Sequence, residues 1–378
     1  MSLRIGGMGW VTPLGSGVDA VWKRLVQGDH ATPDTISSPL HERTFAVFRV
    51  PADATSGLPA HPRLRRSSAI SRFAAAAGLA ALENAGVTLT AESAERTAII
   101  FAISNGGVIY TKRFYHEVVE SGAQAASPLL FPETVFNAPA SHLAAILGIT
   151  GASYTLVGDG AVGLLALKMA EDLMQSAALD RCLVVGAEEG DWLLCDAYRR
   201  WRLLRAAPPV EPFRSPARGT VLSEGAGAVL LDRVGPTVVD AIDGGCNFIH
   251  QRDAAKCVEQ IFANLGVSDD DLIVASANGT FVDAAESAAI RRHSPAAQVF
   301  APKAALGESV GASTLWQLIC AAQALRTHQL PPSAQIVDQL AGASAAPPSQ
   351  KQQPPRRAIV SACGMNQQVA GLAISLAA

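Results

Sequence analysis

The sequence predicts an α/β protein built from a duplicated unit. Short apolar runs of strand length alternate with longer helical patterns along the chain. The order of those segments in the first half returns in the second. Of the 378 residues, 49% are hydrophobic and 17% charged, which supplies enough apolar material for a large core. Aromatic residues make up only 6%, so Ala, Val and Leu fill most of that core and let helices and sheets approach closely.

Residues 69–86 are rich in Ala and Leu, end in Asn84-Ala-Gly86, and read as a helix with a glycine stop. Thr97–Ile103 reads as a buried strand halted by Ser104-Asn-Gly-Gly107. Ser153–Val157 is a strand that breaks at Gly158-Asp-Gly160 and passes at once into a helix, about Val162 to Ser176. Arg181–Ala187 is a further strand. In the second half, Leu272–Ser276 is a strand followed by Asn278-Gly279, as the earlier strand is followed by Asn105-Gly106. Gln298–Lys303 leads through a glycine-bearing turn into an apolar helix over Ser313–Arg326, and Arg356–Ala362 closes the series. Strand-Asn-Gly, strand-turn-helix, strand thus occurs twice, which divides the chain into halves at 1–235 and 236–378. Residues 204–220, with several Pro and Arg, read as a surface loop, and 341–355 as a low-complexity stretch without a catalytic role.

The charge balance excludes some partners. Thirty basic against 33 acidic residues give a net charge of −3, so no general attraction to nucleic acid or an anionic membrane is expected. The amino-terminal segment has no signal-peptide pattern, and the apolar stretch Phe73–Leu82 is far shorter than the ~20 residues of a membrane span. Six cysteines (182, 195, 246, 257, 320 and 363) stand singly, which predicts reduced, mostly buried thiols in a cytoplasmic protein, without a zinc site or disulfide framework. Ser223-Glu-Gly-Ala-Gly-Ala228 departs from the dinucleotide fingerprint, so no nucleotide, metal or other cofactor is expected.

Several motifs, taken together in order, resemble the β-ketoacyl synthases. They are Ile5-Gly-Gly-Met-Gly-Trp-Val-Thr-Pro-Leu-Gly-Ser-Gly17, Phe131-Pro-Glu-Thr-Val-Phe-Asn137 and Ala140-Ser-His142. With them go Val184-Val-Gly-Ala-Glu188, Leu222-Ser-Glu-Gly-Ala-Gly-Ala228, Ala277-Asn-Gly-Thr280 and Lys303 with Gly307. The resemblance covers nearly the whole chain and implies the thiolase fold, a duplicated five-layered α-β-α-β-α architecture.

It also implies a chemistry. In that family a cysteine at a strand-to-helix elbow attacks an acyl thioester, helped towards thiolate by the helix amino terminus. Two histidines assist decarboxylation of the malonyl extender and stabilise the enolate. Laid against Tyr154–Gly163, the family's elbow pattern puts Gly160 in the cysteine's place. The first histidine falls on Asn278 and the second on Glu308, while the family's lysine is retained as Lys303. A glutamate at 308 would repel a malonyl carboxylate. The phenylalanine-containing gate loop is replaced by Cys363, Gly364, Met365 and Asn366. Cys363 reads as a space-filling residue, since nothing nearby would lower its pKa.

The resemblance is therefore closest to chain-length factors, members without the nucleophile that form heterodimers with an active ketosynthase. On that reading an acyl carrier protein docks on the active partner, and Phe131, Thr134, Val135 and Phe136 line the acyl tunnel at the dimer interface. A homodimer is the other expected assembly, since the interface is quasi-symmetric. The alternative is an independent acyl-thioester hydrolase or decarboxylase, with Asp159 and Glu308 as paired carboxylates in one pocket and Lys303 nearby. His142 reads as a packing residue, and Glu188 and Glu189 as acceptors for local backbone donors.

Overall fold

A computed structural model describes residues 3–65, 67–332 and 355–377. The large sheet has ten main strands, of which five come first: β1 (Arg4–Thr12), β2 (Thr97–Ile103), β3 (Ser153–Val157), β4 (Arg181–Glu188) and β5 (Gly225–Asp232). Five more follow: β6 (Thr237–Asn247), β7 (Leu272–Val274), β8 (Gln298–Phe300), β9 (Arg357–Cys363) and β10 (Gln368–Leu376). The first five lie in the order β1-β5-β4-β2-β3 and the second five in the order β6-β10-β9-β7-β8. In each set the first two neighbour pairs are antiparallel and the last two parallel. One order, with one pattern of directions, is thus used twice. The sets meet where β1 pairs antiparallel with β6 at Arg4–Val238 and Ile5–Thr237.

Helices complete five layers. On the outer face of the first sheet lie α1 (Ala69–Asn84) and α3 (Ala138–Leu147); between them in sequence comes α2 (Val108–Ser121), which packs on the turn at 131–134. The central layer is α4 (Val162–Leu173), joined near the carboxyl end by α8 (Ser313–Thr327). Both touch strands of each sheet, and they touch each other. A short helix, α5 (Trp192–Arg200), follows β4, while α6 (Ala254–Leu265) and α7 (Phe281–His293) cover the outer face of the second sheet. Position in this stack explains composition. Every residue of α8 from Ser313 to Leu325 is buried, because the helix has sheet on both sides. Each fully buried Leu or Ile there contributes about 1.5–3 kcal/mol. Small residues set the layer spacing: a Cβ on Gly163 of α4 would come within 2.1 Å of the Thr314 hydroxyl on α8.

The duplicated α/β expectation is met, and β2 and β3 occupy the predicted residues. The strands expected over 272–276 and 298–303 are shorter, ending at Val274 and Phe300. Beyond Val274 the chain leaves the ladder, and the Ser276 N–H donates to the Glu286 carboxylate instead. Lys303 opens a short helical turn, Lys303–Leu306. The strand near 356–362 does not close the series, since it turns at Gly364–Gln367 into β10. Four antiparallel strands of the large sheet, β1, β5, β6 and β10, were not expected. The low-complexity residues 341–354 lie outside the described residues.

Candidate functional site

The turn Gly158–Ala161 between β3 and α4 forms an elbow that points at the β9–β10 hairpin loop. Gly160 is buried there, and a Cβ on it would meet the Gly364 Cα at 3.2 Å. Asp159 turns into the hairpin. Its Oδ2 accepts from the backbone N–H groups of Asn366 (3.0 Å), Gln367 (2.9 Å) and Gln368 (3.3 Å). In return, the Asp159 N–H donates to Gln368 Oε1 at 3.1 Å. Gly364 admits no side chain, because its Cβ would overlap the Asp159 carboxylate at 2.1–2.2 Å.

Behind this elbow lies a second group, sealed from solvent. Lys303 Nζ and Glu308 Oε2 are 2.7 Å apart, with side chains 2% and 1% exposed. Asn278 Nδ2 donates to the same Glu308 oxygen at 2.8 Å. The amide is held in that orientation by Thr280, whose N–H and hydroxyl both donate to Asn278 Oδ1. Asp283 anchors the loop by accepting from the N–H groups of Asn278, Gly279 and Phe213. Burial pushes the Asp283 carboxyl up to about 7, although those backbone donors oppose the shift. Glu308 itself is fixed by β-bridge hydrogen bonds, its N–H to the Val221 carbonyl and its carbonyl to the Ser223 N–H.

The structure therefore brings Asn278, Lys303 and Glu308 together and sets Asp159 apart from them, in the hairpin clasp. A cleft of about 310 Å³ reaches Asp159 and Gly160, with Tyr198, Trp201, Val310 and Met365 among its walls. Glu308, Lys303 and Asn278 do not line it. Asp159 thus lines the cleft while Glu308, expected to share one pocket with it, is held behind by Lys303 and Asn278. Burial raises the Tyr198 phenol strongly, and the carboxylates of Glu308, Glu188 and Asp159 add to this.

Cys363 is 1% exposed beside the elbow, and burial holds its thiol far above the ordinary range, with the Glu286 and Asp159 charges adding to that. A protonated, enclosed thiol is a poor nucleophile. All six cysteines are free, and Cys246 alone is not fully buried. Glu188 accepts from the Ser104 and Asn105 N–H groups and from Asn105 Nδ2, each at 3.2 Å. Burial nonetheless raises its carboxyl to about 8. His142 is buried against Glu133 and so ties α3 to the 131–136 segment.

That segment begins as a short 3-10 turn, Phe131–Thr134, held by the Thr134 hydroxyl on the Phe131 carbonyl. Phe131, Val135 and Phe136 are exposed. Phe136 lies over Gly106, where a Cβ would come within 2.5 Å of the ring. The neighbouring α2 buries none of its 14 residues and exposes Tyr115 and Val119. Among the described residues β3 ends the sheet with one neighbour, and it exposes Tyr154 and Val157. An unpaired apolar edge of this kind is a pairing surface. Sequence reasoning missed this edge, because no alternation around Tyr154 signals it. It also missed Tyr198 and Trp201, which sit at the end of an amphipathic helix for which no reading was made from sequence.

Comparison with known proteins fits this frame. The β-ketoacyl synthase N-terminal domain matches residues 2–235 and the β-ketoacyl synthase C-terminal domain residues 240–337. Nodulation protein E of Rhizobium sp. (strain N33) is 26% identical over 357 residues, covering 87% of each chain. The chloroplastic 3-oxoacyl-[acyl-carrier-protein] synthase I of Arabidopsis thaliana is 23% identical over 363 residues, covering 87% of this chain and 76% of that one. Among solved structures, the ishigamide ketosynthase/chain length factor superposes with a TM-score of 0.83 at 20% identity, covering 100% of this chain and 99% of that one. The fold is thus thiolase-like, as the five layers indicate.

Proposed function

The chain belongs to the β-ketoacyl synthase family, and we propose that it acts there as a non-condensing subunit. It would serve as a chain-length-factor-like partner of an active ketosynthase in fatty acid or polyketide assembly, aryl polyene synthesis included. The observation that carries this reading is the elbow. Residue 160 is a glycine packed against Gly364, and among the described residues Cys363, the thiol beside it, is enclosed and protonated and so a poor replacement nucleophile. Glu308 and Asn278 stand where the family resemblance places the two histidines, and they are spent on Lys303 and on each other. Such a site has no group to take up an acyl chain and none free to polarise a malonyl thioester.

A partner role is supported by the exposed face. The β3 edge, α2 and the 131–136 segment present Tyr154, Val157, Tyr115, Phe131 and Phe136 to solvent. In the proposed assembly Phe131, Thr134, Val135 and Phe136 reach the partner's acyl tunnel and set the chain length it accepts. A second copy of this chain could use the same surface in a homodimer, and the acyl carrier protein docks on the active subunit. No cofactor is needed for this role. The competing hydrolase or decarboxylase would need Asp159 and Glu308 free to exchange protons with one substrate, whereas one is clasped by three amides and the other is sealed.

The test is to incubate the purified chain with malonyl- and acyl-loaded carrier protein, alone and with the ketosynthase encoded beside it, and to follow products by mass spectrometry. We expect no turnover alone and a changed rate or product length with the partner. Consumption of acyl substrate by the chain alone, abolished by Glu308→Gln, would overturn the proposal.

A further inference from the structure

The hairpin between β9 and β10 aims three successive backbone N–H groups, those of Asn366, Gln367 and Gln368, at one point. Convergent amides of this kind make an anion cradle. Here the occupant is Asp159 Oδ2, a carboxylate oxygen from the same chain but more than 200 residues away in sequence. This is no local turn closing on itself. The seat is shaped around its occupant: Gly364 leaves room for the carboxylate and for nothing more, and Gln368 Oε1 takes the Asp159 N–H in exchange. The other carboxylate oxygen faces the Ala161 N–H at 3.4 Å. Asn366 and Gln367 are exposed, so without Asp159 their amides would face water.

We propose that the elbow carries an anion site filled by the chain's own carboxylate. Asp159 holds the hairpin against the elbow and keeps small carboxylates and oxyanions out. Removing the side chain leaves the three amides convergent and unfilled, and a small carboxylate then takes the vacated position. This holds whether or not the chain pairs with a condensing subunit, so it fails or stands separately from the proposed function.

The experiment compares wild type with Asp159→Ala in formate, against chloride of equal ionic strength. It reads hydrogen exchange of the peptide spanning 364–370 and the thermal unfolding midpoint. In wild type the 366–368 amides should exchange slowly and ignore formate. In the variant they should exchange about 10- to 100-fold faster, the effect of losing hydrogen bonds to a charged acceptor. Formate should then restore protection and raise the midpoint saturably. Wild-type amides exchanging as fast as unstructured peptide would overturn the clasp. An equal response of both proteins to formate, or none in the variant, would overturn the anion site. If the variant does not fold in chloride, refolding in formate supports the proposal and failure in both salts refutes it.

Discussion

Replacing Lys303 by Met tests whether the sealed group behind the elbow is architecture or working machinery. Met keeps most of the side chain's length, one heavy atom short, and removes its charge. Glu308, 1% exposed, is then left with the Asn278 amide as its remaining donor, and its Oε1 has no hydrogen-bond partner even in the intact protein. Breaking a buried pair from one side costs about 3–5 kcal/mol, because the survivor cannot regain water. Glu308→Gln in the same chain removes the stranded charge while keeping an oxygen for the Asn278 amide. What remains is one buried N–H₂ without an assigned acceptor, a penalty of about 1–3 kcal/mol. The double variant should therefore be about 2 kcal/mol more stable than Lys303→Met alone, a clear signal against a total of about 5–15 kcal/mol. Urea unfolding with a shared slope measures both steps. A single-variant loss below about 1 kcal/mol, or strict additivity of the two changes, would refute a desolvated pair. A double variant that folds well yet abolishes the partner's product formation would show that the pair takes part in the chemistry.

Phe136→Ala should lengthen the products of a co-purified ketosynthase at little cost in stability, since the ring is nearly half exposed over Gly106. An unchanged product profile by mass spectrometry would remove Phe136 from the tunnel. Tyr154→Lys places a charge on the exposed β3 edge and should weaken association about tenfold or more in sedimentation equilibrium. An unchanged dissociation constant would move the interface elsewhere. Stability should fall as pH rises from about 5.5 to about 8.5. Glu188 is raised to about 8 and Asp283 and Glu189 to about 7 by burial, so the native state keeps protons that the unfolded chain has already released. Their contribution is full below the ordinary carboxyl range and is lost through the folded values. The carboxyls of Asp180 and Glu211, held low chiefly by hydrogen bonds to arginines, act below that window. A urea midpoint that stays flat or rises across it would count against burial as the controlling term.

What could be read from sequence follows from what fixes each element. The inner strand β2 is a continuous apolar run and the edge strand β3 a mixed one that breaks at Gly158, and both fall where expected. α4 and α8 announce themselves by length and a glycine-bearing turn before them. β1 and β5 did not, because their composition answers to a different constraint. A Cβ on Gly7 or Gly9 would lie 2.2 Å from a backbone carbonyl of α1, so those positions are glycine to admit the helix rather than to favour a strand. Strand propensity is weak where packing distance decides the residue. The site divides in the same way. Asn278 and Glu308 were placed by family resemblance, but their hydrogen bond joins segments 30 residues apart. The clasp between Asp159 and residues 366–368 crosses more than 200 residues, and neither partner carries a local pattern that names the other.

The unusual residues at the elbow also require one another. Gly160 lets the hairpin approach until its own Cβ position is 3.2 Å from Gly364, and Gly364 in turn leaves room for the Asp159 carboxylate. Lys303, buried at 2% exposure, would be an isolated charge without Glu308, and Glu308 would be one without Lys303. Each of these residues is accounted for by a neighbour in the set rather than by a substrate. A condensing site has the opposite property, because its nucleophile and acid-base groups must keep unsatisfied capacity facing the cavity where the reaction occurs. Here the cavity wall at Asp159 and Gly160 offers a carboxylate oxygen already bound by three amides and a residue with no side chain. What the elbow does offer is a closely packed surface. That packing agrees with the proposed non-condensing role, in which the chemistry would proceed in a partner subunit.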